Sequence, residues 1–342
     1  MTGLRHAPRG TARWDVVTTA REPAPLIAAF VAHHLALGAS RIHLYLDAPD
    51  PEIEALLAPV REVRMTFADA RFHRHAYGGR RSPRLNRRQR LNAQHAYRRS
   101  EADWLLHLDA DEFVMVADLD AQLAELPPEI GWLRLVNGER AYLKGARPRG
   151  LFDGVMLLPS DNGGLPRWMR RGLFSGQGGL RPEGLLGHAR GKSAVRCGQA
   201  LSMGVHSPRV KSDLGEAVSG EVAICHFDGL TPAHWQGKLL RYAAAEGHAT
   251  QIGAAGSRQR VLQLQAFAAL GGNATAARAL HDRLRCLTDV QLELRQARGL
   301  VRDIPFDPTE AARARFADAG YAYSAEEFDR CLMPERQSAV GV

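Results

Sequence analysis

WLLHLDADEFV, residues 104–114, is an apolar run that breaks into three carboxylates, Asp109, Asp111 and Glu112, within four residues. Composition and length make Trp104 to Leu108 a strand. Such a strand would end in more negative charge than a buried position tolerates without compensation. In an open α/β sheet, ligands bind outside the carboxyl ends of the strands, so these acids are expected at a cleft. Two aspartates separated by one residue can approach one cation, and hard oxygen donors suit Mg²⁺ or Mn²⁺. The structural alternative is a solvated turn, with one aspartate capping a following helix. The expected order is strand, DADEF, then helix.

The flanking sequence alternates in the same way. WDVVTT (14–19) reads as a strand, and LIAAFVAHHLALG as a helix closed by Gly38. RIHLYLD (41–47) is a second strand, a helix opens at Pro51 and runs to Leu57, and VREVRMTF (60–67) is a third strand. RRQRLNAQHAYRR reads as a helix before the acidic strand, with AQLAEL and WLRLV (132–136) continuing the alternation after it. Strand–helix alternation implies an α/β fold with a mostly parallel, Rossmann-like sheet flanked by helices. Residues from about 150 to 220 are rich in Gly, Pro and Arg and read as irregular; from Thr231 onward the chain is helical and Ala-rich. The expected organisation is a flexible N-terminus (1–12), an α/β domain (13–230) and a C-terminal helical extension (231–342).

With 45% hydrophobic and 24% charged residues over 342 positions, the chain can bury a substantial core. No apolar stretch reaches the roughly 20 residues that span a bilayer. The basic N-terminus lacks the apolar centre of a secretory signal, so a cytoplasmic protein is expected. Cys197, Cys225, Cys286 and Cys331 are scattered without a CxxC pair, which excludes a cysteine zinc framework. The net charge of +8 fits a polyanion, an anionic membrane face or a phosphate-bearing substrate, or an Arg-rich composition alone.

Five segments in order then resemble a family 2-type glycosyltransferase of the GT-A fold, in the bacterial branch also similar to family 92. They are VVTTAREPAPLIAAFVAHHLALGASRIHLYLD, RRQRLNAQHAY, DWLLHLDADEF, GKSAVRCGQALSMGVHSPR and ICHFDGLTPAHWQGKLLRYA, together covering about residues 14–245. The resemblance implies transfer of a sugar from a nucleotide diphosphate, such as a UDP-sugar, to an acceptor hydroxyl with inversion, using Mn²⁺ or Mg²⁺. The acceptor would be a glycan or lipid-linked molecule, with peripheral association at the inner face of the membrane.

Residue by residue, it implies that Thr18, Thr19 and Glu22 cradle the nucleotide, with Arg21 beside them as a possible phosphate contact. Asp47 would bind base or ribose, or else cap the helix in PDPEIEALL. Arg88 and Asn92, four apart on one helix face, would brace the diphosphate, and Lys192 and Arg196 would hold phosphate or acceptor, with Lys238 a weaker candidate. Asp109 and Asp111 form the metal pair, Asp111 the direct ligand, with Glu112 orienting them; His226 is the first choice for a third ligand and His206 the second. An inverting transfer needs a general base: Glu139 comes first, with Asp161 and Asp228 as rivals. Gly172 to Gly191 could be a lid over the donor. Two other classes remain open: an inactive nucleotide-sugar-binding or scaffold protein of the same fold, and a basic nucleic-acid-binding protein. Against the second, RRSPRLNRRQR has few aromatic neighbours and no zinc or helix-turn-helix signature accompanies it.

Overall fold

The computed structural model describes residues 11–146, 148–160, 184–210, 213–246 and 258–332. The first strand, β1 (Trp14–Ala20), is buried along its whole length, as a central parallel strand covered on both faces must be. It feeds α1 (Ala24–Ala36), which is buried from Ala24 to His34 and therefore serves as a core helix rather than a surface one. Gly38, at φ +96°, turns the chain out of α1 in a conformation that disfavours side chains. β2 (Arg41–Leu46), α2 (Pro51–Leu57) and β3 (Val63–Phe67) follow. The cap of α2 is Asp50, which accepts from the backbone of Glu52 and Ile53. Asp47 is thus free of the capping role that the sequence left open for it.

Two helices come next, α3 (Ala70–Tyr77) and α4 (Leu85–Tyr97), of which the sequence reading contained only the second. β4 (Trp104–His107) is the acidic strand. Its carboxylates do not precede a helix directly: Glu112–Val114 forms a short strand, β5, and α5 (Leu119–Glu125) comes after it. β6 (Ile130–Leu143) is far longer than WLRLV alone. The region read as irregular contains β7 (Val155–Leu157), β8 (Lys192–Arg196), β9 (Leu201–Ser202), β10 (Arg209–Val210) and the long β11 (Gly215–His226). These strands lack an uninterrupted β-branched or aromatic run, and the partners flanking them in the sheet supply their stability instead. Residues 172–183 of the expected lid, Asp161 and residues 1–10 lie outside the described residues.

With β12 (Cys286–Leu287) and β13 (Val301–Asp303) from the C-terminal part, the main sheet has the order β13-β7-β6-β8-β4-β1-β2-β3, with β11 and β12 also on β6 and β5 on β11. Its β3-β2-β1-β4 half is all parallel, while β8 runs antiparallel between β4 and β6. The α/β expectation of a largely parallel sheet between helices holds for this half, and the antiparallel members make the whole sheet mixed. After β3 the chain crosses to the other side of β1 to form β4. That reversal of strand order opens a crevice at the carboxyl ends of β1 and β4, where α/β sheets bind ligands.

The C-terminal part comprises α6 (Pro232–Glu246), α7 (Arg258–Ala268), α8 (Ala274–Arg285), α9 (Asp289–Gln296), α10 (Pro308–Arg315) and α11 (Ala325–Cys331). It is not purely helical: β12 (Cys286–Leu287) joins β6, and β13 (Val301–Asp303) closes one edge of the sheet on β7. Ala312, Phe316 and Phe328 share one apolar core with Phe30, Phe113 and Trp14. The residues after 230 therefore complete the core that the strands begin.

Candidate active site at the strand ends

Two groups of polar side chains meet at the crevice. On the β1–β2 side, Asn92 of α4 donates to Thr19 Oγ1 at 3.0 Å and accepts from the Tyr77 hydroxyl at 3.2 Å. Thr18 is fully buried. Asp47, directly after β2, is gripped by Arg88, whose Nε and terminal nitrogen lie 3.0 and 2.5 Å from its two oxygens, and by Arg81 at 3.0 Å. Arg88 spends its remaining nitrogen on the carbonyls of Ser82 and Pro83. This fixes the basic loop against the strand ends. Arg21 is exposed on the loop after β1. Glu22 turns towards α6, accepting from His234 at 2.6 Å and Arg241 at 3.1 Å. Burial pushes its carboxyl up, but these partners outweigh it and hold the pKa below the usual range.

On the β4 side the acids of DADE are met by two ammonium groups, Lys192 shared by Asp109 and Glu112 and Lys238 on Asp111. Asp109 accepts from Gln89 at 2.5 Å and Lys192 at 3.0 Å. Asp111 pairs with Lys238 and lies 3.6 Å from His226 Nε2. Glu112 accepts from the Asp109 backbone N–H at 2.8 Å and faces the Lys192 ammonium at 3.1 Å. Lys192 reaches them because β8 lies antiparallel beside β4, and His226 because β11 pairs it with Glu112 of β5 and Glu139 of β6. Burial opposes every one of these charges, yet the pairing wins: Asp111 and Glu112 are held well below the carboxylate range and Lys192 and Lys238 above the ammonium range. For His226 burial favours the neutral ring, but Asp111 chiefly overcomes it and raises the pKa to about 9.

Below this layer sits a second one. Asp228, with no exposed surface, binds Arg285 at 2.6 Å, Arg260 at 3.1 Å and Lys238 at 3.1 Å. Burial raises its pKa, and the three cations more than reverse that. Glu139 accepts from the backbone N–H groups of Leu186 and Gly187 at 3.0 and 2.6 Å and from Arg285 at 3.1 Å.

Glu139 and Asp228 are both fully buried and paired with Arg285. Arg196 stands opposite Trp104, at the far end of β4 from the acids. There it donates to the carbonyls of Ile130, Leu126 and Pro127 and stacks over the Trp104 ring, 4.3 Å from its centroid. Strand direction explains this: in β8 only the Lys192 end lies beside the cleft. His206 bonds the Gly191 carbonyl at 3.1 Å and packs on His188 rather than on the aspartates.

The donors present fit a divalent cation. Asp111, His226 and Asp228 each offer a ligand atom within 4.8 Å of the others, all three residues being buried. Asp109 is outside this triad, tied to Lys192. Gln89, Lys238, Arg260, Arg285 and His188 are the site residues that the sequence reading missed or ranked low. Gln89 lies between Arg88 and Asn92 in RRQRLN, where the resemblance was already placed; Arg260 and Arg285 lie in Ala-rich helices with no motif to single them out.

No family model matches the chain, and no curated protein matches it. Among solved structures, it is similar to a CMP:2-keto-3-deoxy-manno-octonic acid synthetase in complex with CTP, at 16% identity over 37% of this chain and 53% of that one, with a TM-score of 0.25. A mycobacterial protein aligns at 16% identity over 55% of both chains, with a TM-score of 0.30. The chain spans about half the length of these two. The galactosyltransferase LgtC, in complex with donor and acceptor sugar analogues, aligns at 12% identity over 93% of this chain and 99% of that one, with a TM-score of 0.28.

Proposed function

We propose that this protein is a GT-A-like glycosyltransferase that moves a sugar from a nucleotide diphosphate, a UDP-sugar in the first instance, to an acceptor hydroxyl. The observation that carries the reading is the meeting of Asp109, Asp111 and His226 with Lys192 and Lys238 at the carboxyl ends of β1 and β4. Positive and negative groups interleaved at a sheet's switch point suit a ligand that is a dianion accompanied by a divalent cation. The sequence resemblance to family 2-type enzymes points the same way.

In this reading Asp111, His226 and Asp228 hold Mn²⁺ or Mg²⁺, and Asp109 orients the donor from its bond to Gln89. When bound, the cation supplies positive charge against the departing diphosphate. Lys192, fixed by Asp109 and Glu112, adds a second positive charge that needs no reorganisation. Asn92 orients Thr19, and Thr18, Thr19 and Arg21 line the nucleotide side. Asp47 serves as the anchor that presents Arg88 and Arg81 to that side, not as a free acceptor. The general base for an inverting transfer is proposed to be Glu139, with Asp161 and Asp228 as rivals; Glu139 or Asp228 would act only if its pairing with Arg285 opened.

The acceptor is proposed to be a glycan or lipid-linked molecule. No helix among the described residues is long and apolar enough to cross a membrane. Arg80, Arg84 and Arg87 are exposed on the loop and helix beside the cleft, which supports peripheral binding to an anionic surface. One observation favours a second reading, a nucleotide-sugar-binding protein without turnover: both aspartates already have an ammonium partner. UDP release from a panel of UDP-sugars, with Mn²⁺ and with EDTA, tests the proposal. Metal-dependent release that is lost in Asp111→Asn supports the transferase; UDP-sugar binding without any release supports the second reading.

A further inference from the structure

A second set of donors lies beside the metal triad and shares one residue with it. Glu112, His188 and His226 bring one ligand atom each to within 4.8 Å of the others. Glu112 has no exposed surface and its Oε2 is taken by Lys192 and the Asp109 N–H, which leaves Oε1 over. Among the described residues, neither Glu112 Oε1, nor either ring nitrogen of His188, nor Nδ1 of the buried His226 has a hydrogen-bond partner. Buried polar atoms left in this state cost about 1–3 kcal/mol each, and one ligand atom from each of the three residues gathers within 4.8 Å of the others, which points to a missing ligand.

The geometry names the kind of ligand. His188 Nε2 lies 3.5 Å from the nearer Glu112 oxygen, longer than a good hydrogen bond to a carboxylate. Two donors on one tetrahedral Zn²⁺ stand roughly 3.3 Å apart, given metal–ligand distances of about 2.0–2.1 Å. The His188 and His226 rings are nearly parallel at 5.9 Å between centroids, and His206 backs His188 from the other side at 4.1 Å. Gly187 permits the approach: a Cβ there would stand 3.0 Å from His226 Cε1 and 3.1 Å from Glu139 Oε2. Two imidazoles and one carboxylate suit a borderline transition metal, whereas Mg²⁺ prefers an all-oxygen set.

We infer that Glu112, His188 and His226 form a binding site for a transition-metal cation of the Zn²⁺ type, separate from the strand-end site but sharing His226 with it. Three protein ligands leave a fourth position for water or an incoming donor. Because one imidazole serves both sites, the ion on Glu112 and His188 weakens the cation proposed for Asp111 and Asp228. Only this antagonism rests on the proposed function; the site itself does not.

The test is Zn²⁺ titration calorimetry on the full chain, metal-stripped and without an affinity tag, with Co²⁺ as a spectroscopic probe. The expected result is one Zn²⁺ per chain and the visible absorption of tetrahedral Co²⁺. His188→Ala should weaken Zn²⁺ by more than about tenfold, and His188→Cys should restore part of it. Asp111→Asn should leave Zn²⁺ affinity within about threefold of wild type. Zinc should also raise the Mn²⁺ Kd in wild type and fail to do so in His188→Ala. Equal Zn²⁺ affinity in wild type and His188→Ala, loss of it in Asp111→Asn instead, or no binding at all overturns the inference. No nucleotide is present in the zinc titration, so a failure of UDP binding would count against the proposed function and leave this site standing.

Discussion

Lys238 and Asp111, 127 residues apart in sequence, form a direct ion pair at the carboxyl end of β4. The same ammonium lies 3.1 Å from Asp228, so Lys238 bridges two of the three residues that could ligate a divalent cation. A metal entering that triad must displace an ammonium already there. Removing it should therefore favour the metal. For Lys238→Met the expected result is Mn²⁺ affinity raised by roughly tenfold, the worth of one charge-assisted hydrogen bond. Mn²⁺ titration followed by electron paramagnetic resonance measures this; weaker Mn²⁺ binding would mean that Lys238 supports the metal.

Arg285 holds Glu139 at 3.1 Å and Asp228 at 2.6 Å with all three side chains out of solvent. Arg285→Met leaves two buried carboxylates without that partner. A loss of about 3–5 kcal/mol in urea denaturation is expected. A loss below about 1 kcal/mol would show that Arg260 and Lys238 suffice.

The depressed carboxylates set an acid limit. Asp111 and Asp228 are held well below 3.8, and Glu112 and Glu22 below 4.5, by the cations that face them against the opposing effect of burial. Because their folded values are lowered, the stability they contribute is fully present above the unfolded values, near pH 4–5, and is lost as pH falls through the folded ones. Melting temperature should begin to decline between pH 6.5 and 5, as His33, His34, His95, His107 and His206, whose pKa values burial lowers, are driven to protonate, and should fall steeply below 4, where a shallower fall in Asp228→Asn reports the carboxylates. A flat profile to pH 2.5 would contradict the pairing.

Of the basic loop, Arg81 is bound to Asp47 and to the carbonyl of Ala68, whereas Arg80, Arg84 and Arg87 are exposed. Replacing the exposed three by Gln should cut binding to vesicles containing anionic lipid by about 3 kcal/mol in total, near 1 kcal/mol per charge. The fold should be unaffected. Unchanged vesicle binding in flotation would remove the membrane from the proposed function.

The first half of the sheet was legible because its strands are buried on both faces and separated by periodic helices, as in WDVVTT and RIHLYLD. β8 and β11 were not, since KSAVR and GEAVSGEVAICH carry mixed patterns that only their neighbours stabilise. The acids of DADEF announced a site by their density. Of their partners, Lys192, His226 and Lys238 were named only through the family resemblance and Arg285 not at all, since they come from four distant segments; strand direction alone put Lys192 at the cleft and Arg196 at the opposite end. Glu139 reads as a base because it follows a strand; its arginine, 146 residues later, is invisible to any local pattern.

Calorimetric titration of UDP, with GDP for comparison, in Mn²⁺ and then in EDTA, on wild type and Asp111→Ala, addresses the donor site itself. UDP binding that requires Mn²⁺ and disappears in Asp111→Ala is the expected result. Binding of neither nucleotide to the folded wild-type protein under either condition would contradict it, and the acids at the end of β4 would then belong to a different chemistry.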